Sequence, residues 1–196
     1  MQLFIEFMTK SYSFCSLSIL KPLIYFLLNS FQKDDNLMKI ISSMLINDLL
    51  KKAATSIRRR SHYNFHESAQ DPIQRYVVAS KIDSYFRPHR HVSKSELAII
   101  FRGKFDLLIF DDGACVTERI SLGFDSENIG FELPCNVWHL WIPMMDDSLF
   151  LEVKGGPYDP TLGLEFASWS PPEGDVRVTA FLEKMRGLAV GDSAAS

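Results

Sequence analysis

Residues 89–103 read "HRHVSKSELAIIFRG", and the spacing within this stretch decides how the chain folds. Side chains alternate faces along a strand, so in "RPHRH" Arg87, His89 and His91 point one way while Pro88 and Arg90 point the other. Two imidazoles thereby converge on one spot. "VSKS" reads as a short polar turn, after which Glu96 opens the run "ELAIIFRG" and can return beside the histidines on the neighbouring strand. Taken alone, one His-x-His is weak, because exposed or core-satisfied histidines are common. Further along, "PCNVWHLW" puts Val137, His139 and Trp141 on one face of another strand. The chain has five histidines, and three of them fall at these spaced positions.

The surroundings read as a barrel. From Gln74 to Lys154 the chain is a series of short strand-like runs: "QRYVVAS", "SYFRPHRH", "LAIIFRG", "KFDLLIF", "CVTERISL", "IGFEL", "VWHLWI" and "LFLEVK". Turn chemistry separates them, most clearly Asp112-Gly113, a strong hairpin signal. Many short strands at such spacing predict a sandwich or barrel. Before them, Met44, Leu45, Leu49, Leu50, Ala53 and Ile57 recur at helical spacing behind a Ser42 or Ser43 cap. After them, "GGPYDPTLGLEFASWSPPEG" reads as an ordered loop over the barrel. A short helix comes next, carried by Val178, Phe181, Leu182, Met185 and Leu188, with a frayed "GDSAAS" end. The expected organisation is an apolar extension outside the fold over 1–37, a helix and linker over 38–70, the barrel over 71–156, and a loop and helix over 157–196.

Composition narrows the function classes. Lys+Arg 21 against Asp+Glu 24 gives a net charge of -3, which lacks the basic footprint that nucleic acid attracts. Three cysteines, Cys15, Cys115 and Cys135, show no Cys-x-x-Cys pairing and point to neither a disulfide framework nor a zinc knuckle. A reducing cytoplasm fits them best. "FCSLSILKPLIYFLLNSF" is the most apolar stretch, but Lys21-Pro22 breaks it well short of the roughly 20 residues a membrane span needs. Asp34-Asp35 comes after it in place of a signal cleavage site. Met38 then opens "MKIISSMLINDLLKKAA", which itself looks like a protein start. The rival reading of 1–37 is a membrane or interfacial anchor.

Three histidines and one glutamate on a barrel make a mixed N/O ligand set that suits Fe, Mn, Ni, Cu or Zn as a divalent ion. Two positions of a six-coordinate metal would stay open for water or substrate. Here the chain resembles the cupin superfamily. His89, His91, Glu96 and Gly103 match the first cupin motif, His-x-His-x4-Glu-x6-Gly, and "PCNVWH" matches the centre of the second. From Met38 to about Gly174 the chain looks like the WbuC family of cupin fold metalloproteins, through "RRRSHYNFHES", "DPIQR", "RPHRH", "RGKFDLLIFDD", "VTERI", "ELPCNVWH", "EVKGGPYDP" and "FASWSP". The resemblance implies a mainly β fold: a single cupin β-barrel of jelly-roll type, with an N-terminal helix and a short C-terminal helix. It also implies one divalent metal on His89, His91, Glu96 and His139, a homodimer, and a bacterial setting in O-antigen or other surface polysaccharide biosynthesis. The family's reaction is not established. Two motif glycines are replaced, by Asp83 and Asn136, residues that tolerate a positive φ. Pro143 stands where the second motif often has asparagine.

Around the metal, Arg87 is a candidate clamp for a carboxylate or phosphate oxygen, against the alternative of a solvated rim arginine. Trp141 is a candidate pocket wall, against plain core packing. Gln74, Arg75 and Tyr85 are further candidate substrate contacts. Arg58 to Arg60 read as complements to the preceding helix end. His62 and His66 read as structural, within reach of the barrel mouth, and Cys135 has no activating partner. The first functional reading is a metal-dependent enzyme of isomerase or epimerase type, acting on a small sugar-like or nucleotide-sugar-derived molecule; no general base is marked. The alternatives are an Fe(II)-dependent oxygenase and a non-catalytic sugar-binding or regulatory module. One barrel hosts many chemistries, so the fold does not choose among them.

Overall fold

The structure is a computed structural model describing residues 38–159 and 163–195; the expectations for 1–37, Cys15 included, lie outside the described residues. The chain divides after Ile40, and the described strands and helices all belong to the unit that begins at Ile41. Among the described residues, ten strands form two five-stranded antiparallel sheets, and one helix precedes and one follows them. The first sheet runs β1 (Arg60–Asn64), β2 (Ile73–Ser80), β9 (Ser148–Gly155), β4 (Glu96–Arg102) and β7 (Gly130–Leu133). The second runs β10 (Glu165–Phe166), β3 (His89–Arg90), β8 (Trp138–Pro143), β5 (Lys104–Phe110) and β6 (Val116–Gly123). Neighbours distant in sequence, such as β2 beside β9 and β3 beside β8, make this a jelly-roll rather than a meander.

The period of two sorts the residues into three layers. Between the sheets, Val78, Ala98, Ile100, Phe105, Leu107, Trp141 and Phe150 form the central core. On the outer face of the first sheet, Val77, Ala79 and Leu149 pack under α1 (Ser43–Thr55) through Leu49 and Ala53. Leu108, Phe110, Leu140 and Ile142, on the outer face of the second sheet, pack under α2 (Val178–Gly187) through Leu182 and Met185. β5 is buried on both faces, which is why "FDLLIF" reads as one apolar run without alternation. Its one carboxylate, Asp106, accepts from Arg119 Nη2 at 2.6 Å and Ser121 Oγ at 2.8 Å.

Several local expectations are corrected. Ser42 caps α1, its side chain accepting from Leu45 N, but the helix ends at Thr55, so Ile57 is fully exposed and Met44 lies off the buried stripe. Two strands lie outside 71–156: β1, within the expected linker, and β10, within the expected covering loop. "SYFRPHRH" is not a continuous strand. Pro88 brings no N–H to a ladder, and only His89–Arg90 pair, with His139 and with Glu165–Phe166. In the β5–β6 hairpin the left-handed residue is Ala114 (φ 65°), not Gly113. Asn136 has a positive φ of 65° as its motif position requires, whereas Asp83 does not and its turn closes through Ser84 N to Lys81 O. The tail is held rather than frayed. Val116 N donates to Asp192 O and Ala194 N to Ala114 O, and Ala194 is buried. Among the described residues no helix is long and apolar enough to cross a membrane.

Candidate metal centre

The site grows from cross-strand register. His89 and His139 face each other directly across β3 and β8, with ring centroids 4.3 Å apart. Glu96 begins β4 on the opposite sheet with its side chain inward, and His91 follows β3 and meets it, Nε2 to Oε2 at 2.7 Å. One nitrogen or oxygen from each of the four residues lies within 4.8 Å of all the others. Gly103, at the far end of β4 (φ +76°), lies so close to β9 that a Cβ there would sit 2.8 Å from the Ser148 backbone. The motif glycine thus sets how β4, and Glu96 with it, joins the sheet.

Hydrogen bonds orient the rings. His89 Nδ1–H donates to Arg87 O at 2.8 Å and His139 Nδ1–H donates to Val137 O at 3.0 Å, so each keeps an Nε2 lone pair free, as ligation requires. His139 Nε2 and Glu96 Oε1 are buried with no hydrogen-bond partner among the described residues. Two orphaned atoms at the meeting point of four ligand-type side chains fit a cation and fit a plain core poorly. Electrostatics agree. Burial, helped by the neighbouring His139, holds His89 well below its ordinary value, and burial lowers His139 against the pull of Glu96. Burial would raise Glu96, but the His91 hydrogen bond and the Lys154 and His139 charges outweigh it, so its carboxyl falls below the usual range. Neutral imidazoles beside a carboxylate are the protonation states that bind a divalent ion.

The group opens into a cavity of about 590 Å³. Its aromatic walls are Phe86, Trp141, Phe150 and Phe166, with Trp141 stacked on Phe150 at 4.3 Å. Next to Glu96 lies a polar wall built by register: Glu96 pairs with Lys154, Lys154 with Gln74, and Tyr76 with Glu152. Lys154 Nζ pairs with Glu152 and Tyr76 Oη–H donates to Gln74 Oε1 at 3.1 Å. Burial and the Glu96 charge raise the Glu152 carboxyl, opposed by Lys154. At the mouth, Arg58 and Arg60 both reach Glu173, and burial together with these arginines lowers His62.

Of the substrate candidates, Arg87, Trp141 and Gln74 line the cavity. Arg87 is tied down, Nε to Ser170 Oγ at 3.1 Å and Nη2 to Ser170 O at 3.2 Å, with its guanidinium 4.8 Å over Phe166. Arg75 and Tyr85 do not line it. Arg75 neighbours Gln74 on β2 and so faces out, exposed. Tyr85 is buried behind the wall, its hydroxyl donating to Pro171 O and its ring edge-on to Phe181, and burial pushes its pKa up to about 12. Arg59 alone of the three arginines serves the helix end, through Ala54 O, while Arg58 and Arg60 line the cavity. His66 accepts from Arg75 N at 3.0 Å and also lines the cavity with His62. Sequence reasoning missed Arg58, Arg60, Tyr76, Glu152 and Lys154. Strand parity alone would have placed Glu152 and Lys154 on the same face as buried Phe150.

A family model described as "Domain of unknown function (DUF6016)" matches residues 41–122. Among curated proteins none matches. Several solved structures are similar. A protein from Shewanella oneidensis is 12% identical with a TM-score of 0.49, over 63% of this chain and 84% of its own. KdgF from Halomonas sp. is 17% identical with a TM-score of 0.41, over 52% of this chain and 81% of its own. The capsular polysaccharide assembling protein CapF from Staphylococcus aureus is 19% identical with a TM-score of 0.43, over 54% of this chain and 31% of its own.

Proposed function

We propose that this chain holds one divalent transition metal on His89, His91, Glu96 and His139 and acts on a small oxygen-rich molecule admitted through the cavity. The observation that carries this reading is the pair of buried, unpartnered atoms, His139 Nε2 and Glu96 Oε1, at the convergence of the four side chains. A bound divalent ion would supply Lewis acidity toward an oxygen of the ligand. The chain's own groups do the rest. Phe166, exposed at the cavity, offers flat apolar surface on which a sugar ring stacks, and the buried Trp141 and Phe150 close the apolar wall against water. Tyr76 and Lys154 offer hydrogen-bonding groups beside Glu96 that orient ligand hydroxyls, and Gln74, its amide held by Asp71 O, fixes the Tyr76 hydroxyl. Outside the ligand set, the ionisable groups nearest Glu96 in register are Lys154 and Glu152, and Glu152 can hold a proton because burial favours its neutral form.

The substrate class we favour is a sugar or nucleotide-sugar derivative in bacterial surface polysaccharide (O-antigen) biosynthesis, as the WbuC resemblance implies, with the protein a cytoplasmic homodimer. The test is metal analysis of the purified wild type beside a His89→Ala/His139→Ala variant. The wild type is expected to carry close to one metal per chain and the variant almost none; equal content in both refutes the site. Turnover of nucleotide sugars by the loaded protein supports the isomerase-type reading. Turnover that needs iron and O2 replaces it with the oxygenase.

A further inference from the structure

Resting on the metal-site reading, we propose that Arg58 and Arg60 form an oxyanion subsite at the cavity mouth, that Glu173 occupies it as an internal stand-in, and that the natural ligand is an extended molecule carrying a phosphate or carboxylate there. Arg58 Nη2 donates to Glu173 Oε1 at 2.8 Å, Arg58 Nε lies 2.6 Å from Oε2, and Arg60 reaches Oε1 as well. Two guanidiniums converge on one carboxylate in the forked geometry that suits phosphate equally. Arg60 is fixed in place, its Nη1 donating to Tyr85 O at 2.6 Å and its guanidinium 4.7 Å over Phe86. It is a preformed donor, not a flexible surface charge.

Charge and position argue for a ligand role over a purely structural ion pair. Two arginines meet one carboxylate here, and a third, Arg87, lines the same cavity. Glu173 lies in the segment between β10 and α2, and its pair with Arg58 leaves those side chains 33% and 57% exposed. That exposed half contributes little to stability and yields easily to a competing anion, while Arg60, only 13% exposed, stays in place to receive it. Distance sets the kind of ligand. Arg60 shares its register level with Ser80 and Ser148, and Glu96 shares its level with Lys154. Six residues of β9 separate these levels, about 20 Å of strand. Even with long arginine side chains reaching inward, a molecule that touches both ends is longer than a monosaccharide phosphate or a sugar acid, which would fill the anion end alone.

Calorimetric titration tests this, with glucose, glucose 1-phosphate, glucuronate and inorganic phosphate as probes. Glucose 1-phosphate or glucuronate is expected to bind and glucose is not; which of the two binds tells phosphate from carboxylate. Arg58→Gln is expected to weaken the anion on the order of tenfold, the loss of one charge-assisted contact. Glu173→Gln, which removes the competitor, is expected to strengthen it by a similar factor. Metal content stays at the wild-type level in both variants. Inorganic phosphate still binds the His89→Ala/His139→Ala variant, so the subsite is read independently of the metal. Absence of anion binding in the wild type, or affinities unmoved by both Arg58→Gln and Glu173→Gln, overturns the proposal while leaving the metal reading intact.

Discussion

Replacing His139 by leucine separates what the site does for binding from what it does for stability. His139 is fully buried and its Nε2 has no partner, and such an orphan destabilises a metal-free fold by about 1–3 kcal/mol. Leucine removes the orphan and adds apolar contact beside Trp141, at the expense of the Nδ1–H bond to Val137 O, a net of about 1 kcal/mol. In chelator, His139→Leu is therefore expected to melt at or slightly above the wild type. The metal response goes the other way. A metal at 100 times its Kd stabilises the wild type by about 2.7 kcal/mol, which for a domain of this size raises Tm by roughly 5–11 °C. His139→Leu, with a ligand gone, is expected to show almost none of that rise. The assay is differential scanning fluorimetry across a metal series with and without chelator. Equal metal-induced rises in both proteins, or a chelated His139→Leu several degrees below the wild type, would refute the reasoning.

The same geometry sets the outcome of three further perturbations. Burial depresses the folded-state pKa values of His89 and His139, so the unfolded chain takes up protons first as pH falls. Their contribution to stability is present above about 6.5 and is lost as pH falls below it. Urea midpoints of metal-free protein should drop between about pH 7 and 5, and less steeply in His89→Gln. Gly103→Ala meets both a positive φ and the Ser148 backbone, so denaturant unfolding should show a loss of about 2 kcal/mol or more. Lys154→Met leaves Glu152 buried without its cation and should cost about 3–5 kcal/mol. Adding Glu152→Gln should restore most of that loss, measured by Tm, and a double variant no better than the single would contradict the pairing.

The convergence of His89, His91, Glu96 and His139 was legible because each lies where chemistry and strand parity coincide: His89 and His139 inward on paired strands, Glu96 at the start of an apolar run, and His91 two residues from His89. What escaped did so for physical reasons. β1, "RSHYN", turns Arg60, His62 and Asn64 toward the cavity. A strand that lines a polar cavity has no apolar alternation to reveal it. Gln74 and Arg75 are adjacent in one strand and cannot share a face, so Arg75 was excluded by a rule available from the start. Tyr85 failed differently. The segment before Pro88 is not a strand, and parity does not extend through it. The tail's pairing with the β5–β6 loop depends on contacts between residues about 80 positions apart, which local propensity does not carry.

The four donors come from both layers of the sandwich, Glu96 from the first sheet and His89 and His139 from the second. Each sheet is knitted by its own ladder, and at this end the two are tied by the crossing turns from β3 to β4 and from β7 to β8 and by the side chains that meet between them. An ion held there would be a rivet through two plates: whatever pries the plates apart would first have to shear it. Breathing of the barrel and retention of the metal are then one mechanical property, and the rate at which the chain surrenders its metal would measure how often the sandwich opens.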